Sequence, residues 1–174
     1  VRFMQMNLFR PCFKPAQFDV ILCYGVLHHT ADPFGGFCGL LPLLKPGGHI
    51  VLGLYNRHGR LLTDIRRQMF RLTGGRAWWM DPILRGRYRS QGQRRAWFAD
   101  QYQHPHESKH TIGEVLEWFD RTDIAFVRAL PSATITAPAV DGADLFAPQP
   151  RGSTLDHFPA DAGLLDARRH RAGR

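Results

Sequence analysis

The apolar positions fall into blocks whose spacing changes along the chain. Phe18 to Tyr24 is, apart from Asp19, a continuous apolar run of strand length, with Pro15 before it and Gly25 after it, as expected of a parallel strand buried on both faces. A helix-length segment follows from Pro33 to Leu44. Lys45-Pro46-Gly47-Gly48 then stops it, because Pro cannot extend a helix and Gly accepts left-handed dihedrals. His49 to Leu54 supplies a second apolar strand, so residues 18–54 predict a βαβ unit with adjacent parallel strands.

The later pattern is helical, then irregular. Leu61, Leu62, Ile65, Met69 and Leu72 recur at helical spacing and predict an amphipathic helix over 59–72, with Arg66, Arg67 and Arg71 mainly on its outer side. Residues 73–94 carry Gly74, Gly75, Pro82, Gly86 and Gly92 and read as an irregular excursion. Thr111-Ile112-Gly113-Glu114 fits a capping box that starts a further helix. Ile124 to Leu130 reads as a strand, and Val1 to Phe9 as a strand end followed by a turn. Residues 132–174 are rich in Ala, Pro, Gly and Asp, finish in a basic run, and read as a disordered tail.

Four signals in fixed order add chemistry to this pattern: Phe18-Asp19-Val20 opening a strand, Val26-Leu27-His28-His29 past its end, Asp32-Pro33 entering the helix, and Leu44-Lys45-Pro46-Gly47-Gly48 before the next strand. Together they resemble the class I S-adenosylmethionine-dependent methyltransferases, from about Phe3 to about Pro131. The resemblance implies an α/β fold with a partial doubly wound, mostly parallel sheet of Rossmann-like methyltransferase type. It places a helical or irregular insertion, residues 73–110, after the last parallel strand. The domain would then span residues 1–131.

The resemblance also implies a site. Ligands of open parallel sheets collect outside the carboxyl ends of the strands. Cys23, Tyr24 and Gly25 stand there, where the family's backbone carbonyls accept from the methionyl ammonium of S-adenosylmethionine. Asn7-Leu8 resembles the family position that reads the adenine edge, with Asn in place of the usual Asp. The family's glycine-rich turn and ribose-binding acid are missing, so the chain is expected to start at about the third strand and to bind S-adenosylmethionine weakly or not at all.

The acceptor side is expected to hold the catalytic candidates. His29, and less so His28, lies beside the expected donor, and a histidine there suits a general base. The opposing reading is that one of them holds the loop by bonding to backbone. Trp97 to Tyr102, His104-Pro105, Glu107, His110-Thr111 and Trp118-Phe119 resemble a block of a bacterial subset of these enzymes, with His104 or His110 binding or deprotonating a small-molecule acceptor. Equally, these residues anchor the insertion to the sheet.

His106-Glu107-Ser108-Lys109-His110 also fits the zinc-protease pattern HExxH. That site needs both histidines on one face of a preformed helix, whereas the capping box starts the helix after the second, and Leu116 occupies the third-ligand slot. No metal is therefore expected.

Composition adds bounds. The net charge is +8, and residues 57–95 hold eleven Arg against Asp64 and Asp81. Trp78, Trp79 and Tyr88 are not spaced as a stacking platform, which argues against nucleic acid. No apolar run reaches membrane-spanning length and no secretion leader opens the chain. Three cysteines beside apolar elements suit reduced thiols, so a cytoplasmic setting is expected. Two functions remain open: methyl transfer to a small molecule, impaired by truncation, or a non-catalytic remnant or binding module. An open strand edge also predicts self-association.

Overall fold

A computed structural model describes residues 1–74, 76, 81, 90–102, 106–130, 132–133, 147–153 and 155–157. The expected βαβ unit forms: β1 (Phe18–Tyr24), α1 (Pro33–Leu40) and β2 (Leu44–Gly53), with the two strands paired in parallel. Val20 faces His49, Cys23 faces Leu52 and Tyr24 faces Gly53, and an irregularity between Phe18 and Val20 lets Phe18 face Leu44.

Local chemistry sets these limits. Asp32 caps α1, its Oδ1 accepting from the Gly35 N–H at 2.8 Å, and Pro33 occupies the first turn, where its missing N–H costs no hydrogen bond. α1 ends four residues earlier than the spacing predicts. Pro42 cannot donate to the helix, so the chain tightens into a 3-10 turn at Leu41–Leu43 and enters β2 at once. The Pro42 and Leu43 carbonyls accept from Ala16 and Gln17 at 2.9 Å each, which guides the chain into β1.

The sheet buries one face rather than two. Cys23 lies in the core with Leu27, Phe37, Leu40, Leu43 and Trp118, and Ile21, Ile50 and Leu52 pack beside it. On the opposite face Val20, Leu22 and Tyr24 are exposed, because no described element covers them. Residues 1–7 form no strand, although the expected turn follows at Leu8 and Phe9.

Three helices complete the described fold: α2 (Leu61–Leu72), α3 (Gln91–Tyr102) and α4 (Ile112–Arg121). The capping box forms as its pattern predicts, with Glu114 N–H donating to Thr111 Oγ1 and Thr111 N–H donating to Glu114 Oε2, each at 3.2 Å. α4 then lays Trp118 and Phe119 on Phe37, with ring centroids 6.1 and 5.8 Å apart.

α2 is rotated relative to its expected orientation. Leu61, Leu62, Ile65 and Leu72 are exposed, whereas Arg67 turns inward at 15% side-chain exposure and Phe70 is buried against Phe98 and Tyr102 of α3. The reason is a buried carboxylate. Glu107 takes ion pairs from Arg60 and Arg67, and leaving that acid unpaired would cost more than exposing the leucines.

One further expectation is corrected. Ile124 to Leu130 forms no strand, since β2 pairs only with β1 among the described residues, and this segment instead meets Gln149, whose N–H donates to the Val127 carbonyl at 2.7 Å. Within the 132–174 segment read as disordered, residues 147–153 and 155–157 pack on the domain: Arg151 pairs with Asp120 at 2.8 Å and donates to the Leu116 carbonyl at 3.2 Å. Trp78, Trp79 and Tyr88 lie outside the described residues.

Candidate functional site

Both parallel strands end at the same level, and the chain beyond each end folds over it. Past Tyr24, Gly25 takes a left-handed φ of 68°, which a glycine adopts without strain, and its N–H donates to the Gly53 carbonyl at 3.2 Å. Open space surrounds the position its Cβ would take. The turn Leu27–His29 then drives Leu27 into the core and buries His28 at 1% exposure.

Beyond β2, Tyr55 meets these histidines. Its ring centroid lies 3.8 Å from that of His28 with a 32° tilt, and His29 meets it edge-on at 5.7 Å. The Arg60 guanidinium sits 3.9 Å from the same Tyr55 centroid. Two groups this close to one centroid cannot share a face, so Tyr55 is held between His28 and Arg60.

Residues 106–110 form a strap across both strand ends. Ser108 N–H donates to the His28 carbonyl at 2.8 Å, His110 N–H to the Tyr55 carbonyl at 2.9 Å, and Arg57 N–H to the His110 carbonyl at 3.1 Å. His29 Nδ1 donates to the His106 carbonyl at 3.2 Å. The Glu107 side chain, 2% exposed, is the charged centre of the strap: Arg67 Nη2 lies 2.6 Å from Oε2, and Arg60 Nη2 lies 3.1 Å from Oε1 and 3.3 Å from Oε2. Gln101 of α3 accepts from both arginines at 2.8 Å, through its side chain from Arg60 and its backbone carbonyl from Arg67. Lys109 pairs with Asp64.

This environment sets protonation. Burial, then the neighbouring His29 and Arg60, holds the His28 pKa down at about 4, with Glu107 acting in the opposite sense. Neither ring nitrogen of His28 has a hydrogen-bond partner, although the Gly53 carbonyl faces the ring. His110 is also lowered by burial, partly offset by Glu114. Its Nε2 is 2.9 Å from Ser108 Oγ and its ring packs on Trp118 at 4.9 Å, which makes it an anchor of the strap.

The other expected site residues divide. Cys23 puts its thiol in the core, where burial raises its pKa, so only its backbone can face a ligand. Tyr24 is exposed, its ring covering the spot that a Gly53 side chain would fill. Asn7 Oδ1 accepts from the Phe9 N–H at 2.9 Å, closing its own turn, while Leu8 packs on the core under α1. His104 lies outside the described residues. His106 and His110 do not share a helix, since α4 begins at Ile112, and no group of three metal-ligating side chains occurs among the described residues. No described helix is long and apolar enough to cross a membrane.

Tyr55, Arg60 and Arg67 were not singled out by the sequence. The available signal was the spacing of seven between the two arginines, which puts both on one helical face. An open cleft of about 560 Å³ lies elsewhere, between α4 and residues 151–157, and none of the expected site residues lines it.

Comparison with known proteins agrees with this geometry. Residues 1–52 match a family model described as a methyltransferase domain. The chain is 28% identical over 148 residues to an uncharacterized protein of Synechococcus sp., covering 73% of this chain and 36% of that protein. It is 32% identical over 71 residues to a fumosorinone synthetase of Cordyceps fumosorosea, covering 41% of this chain and 2% of that protein. The chain therefore spans about a third of the first relative and a small fraction of the second. Residues 1–52, which hold β1, α1 and most of β2, are thus similar to the methyltransferase domain family, and the fold is a partial Rossmann-like α/β fold.

Proposed function

We propose that this chain carries the acceptor-facing part of a methyltransferase site, with S-adenosylmethionine as donor and a small molecule as acceptor. One observation carries the reading: within a segment matched by the methyltransferase family, two parallel strands end together beneath His28, His29 and Tyr55. Strand ends of that kind are where open α/β sheets hold ligands.

The residues suited to the donor are the backbone of Cys23 to Gly25, supported by the open space at Gly25, with Asn7 and Leu8 on the adenine side. S-adenosylmethionine supplies an electrophilic methyl group. The chain's task is to align the acceptor and exclude water, the main requirement for in-line transfer. His29 is the better candidate base, because a pKa near 4 makes His28 a weak one and suits it to hydrogen bonding.

A binding module without turnover is the second reading. It is favoured by the exposed outer face of β1 at Val20, Leu22 and Tyr24, which no described element covers. Amide NMR during titration with S-adenosylmethionine separates the readings. Shifts confined to Asn7, Leu8 and residues 23–25 at millimolar donor support a methyltransferase site. Absence of any shift there overturns it.

A further inference from the structure

Among the described residues, the buried polar atoms without a hydrogen-bond partner gather largely at one place. Both His28 ring nitrogens and Nε of Arg60 and of Arg67 are in this state. Such atoms are uncommon in folded proteins because each forfeits its hydration without replacement. Their clustering at the strand ends marks a built polar assembly.

We propose that Glu107 is a positioning residue: by holding Arg60 against one face of Tyr55, it fixes the His28 ring on the other face at the carboxyl ends of β1 and β2. That the fixed ring serves an acceptor rests on the methyl-transfer reading; the positioning itself does not.

The linkage runs through three contacts. The Glu107 carboxylate is withdrawn from water, so it depends on Arg60 and Arg67, and both guanidinium groups, 13% and 15% exposed, depend on it in turn. Held this way, the flat Arg60 guanidinium lies 3.9 Å from the Tyr55 centroid, an arrangement that gains from the ring's negative face. Tyr55 then has only one face left, and His28 stacks there at 3.8 Å. The strap closes the assembly from above through Ser108 and the His28 carbonyl. The ring is left uncharged and buried, with the Gly53 carbonyl facing it.

The charges facing His28 make a sharp test, because two effects of removing Glu107 have opposite signs. His29 on its own turn and Arg60 from the start of α2 disfavour the charged ring; Glu107 on the strap favours it. Losing the carboxylate with nothing else changed lowers the His28 midpoint further. Losing the positioning frees Arg60 and opens the stack, which raises it.

Imidazole ¹⁵N NMR on the full chain reads this directly, with His28 assigned by its loss in His28→Gln. Wild type is expected to stay uncharged down to a pH near 4. In Glu107→Gln the midpoint is expected to rise by about one pH unit or more, a tenfold change in proton affinity. An unchanged or lower midpoint in a folded Glu107→Gln variant overturns the proposal. Tyr55→Phe keeps the stack and should leave the midpoint in place, whereas Tyr55→Leu should raise it. Should Glu107→Gln fail to fold, an unmoved midpoint in Tyr55→Leu overturns the proposal. The titration needs neither donor nor acceptor, so its outcome is separate from that of the donor-binding experiment.

Discussion

The backbone N–H of Ser108 donates to the carbonyl of His28 at 2.8 Å, joining segments 80 positions apart. That bond fastens the strap to the end of β1, and the bond from His110 N–H to the Tyr55 carbonyl fastens it beyond β2. The two amides are expected to exchange with deuterium as one cooperative unit. Native-state hydrogen exchange giving the same opening free energy for Ser108 and His110 is the expected result; a Ser108 amide exchanging at the rate of the exposed N-terminal residues contradicts a closed strap.

The βαβ unit was legible because every signal it uses is local: an apolar run, a Pro at the helix start, and Gly and Pro between helix and strand. The orientation of α2 was not. Its leucines suggest an inward apolar face, but Arg60 and Arg67 answer to Glu107, forty or more positions away, and no periodicity reports a partner at that distance. The same holds for Ile124 to Leu130. Its composition suits a strand, yet a strand needs a neighbour, and Gln149 meets the segment instead. Of the site, the strand ends and His28, His29 and His110 were visible, while the Tyr55 and Arg60 stack was not, because stacking depends on how α2 is turned.

Protonation of His28 couples to stability. Its folded pKa, about 4, lies below the ordinary 6.5, so the unfolded chain binds more protons between those values. The associated stability is fully present above pH 6.5 and is lost as pH falls toward 4. His110, lowered as well, adds in the same direction. Its whole size is on the order of 3 kcal/mol for His28. Urea unfolding at pH 7, 5.5 and 4.5 should show this decline, and His28→Phe should flatten it. An unfolding free energy independent of pH over this window in wild type contradicts the buried, uncharged ring.

Breaking the Glu107 cluster should be costly in a way that breaking a surface pair is not. Arg67→Ala leaves the carboxylate with Arg60 and, at 4.0 Å, Lys109, and loss of one partner from a buried pair costs roughly 3–5 kcal/mol. Lys45 and Asp19 pair at 2.8 Å but are 43% and 78% exposed, so Lys45→Ala should leave stability unchanged within error. Chemical denaturation of both variants compares them. Equal effects would mean that Glu107 is solvated in solution.

Trp118 is the hinge between α4 and the sheet. It is buried against Phe34, Phe37 and His110, with centroids 5.7, 6.1 and 4.9 Å away. Trp118→Ala is expected to cost about 3–5 kcal/mol through lost burial and the cavity left behind. Because His110 packs on this ring, the strap should loosen with it. Denaturation should give the energy, and faster exchange of the Ser108 amide the loosening; a large energy with unchanged exchange would separate the core from the strap.

The exposed apolar surface should drive self-association. Leu61, Leu62, Ile65 and Leu72 of α2 are 52–76% exposed, and Val20, Leu22 and Tyr24 line the open face of β1. Contiguous apolar surface and an unpaired strand edge both invite a second copy. The +8 charge opposes this only at short range, since salt screens it beyond about 8 Å under physiological conditions. Sedimentation velocity should show association that grows with concentration and with salt. Leu62→Lys with Ile65→Lys tests the helix face, and Val20→Lys with Leu22→Glu the strand face; the pair that restores the monomer identifies the contact. A wild-type chain that stays monomeric at 100-fold dilution and at its highest soluble concentration alike would show that neither surface is sticky enough to matter.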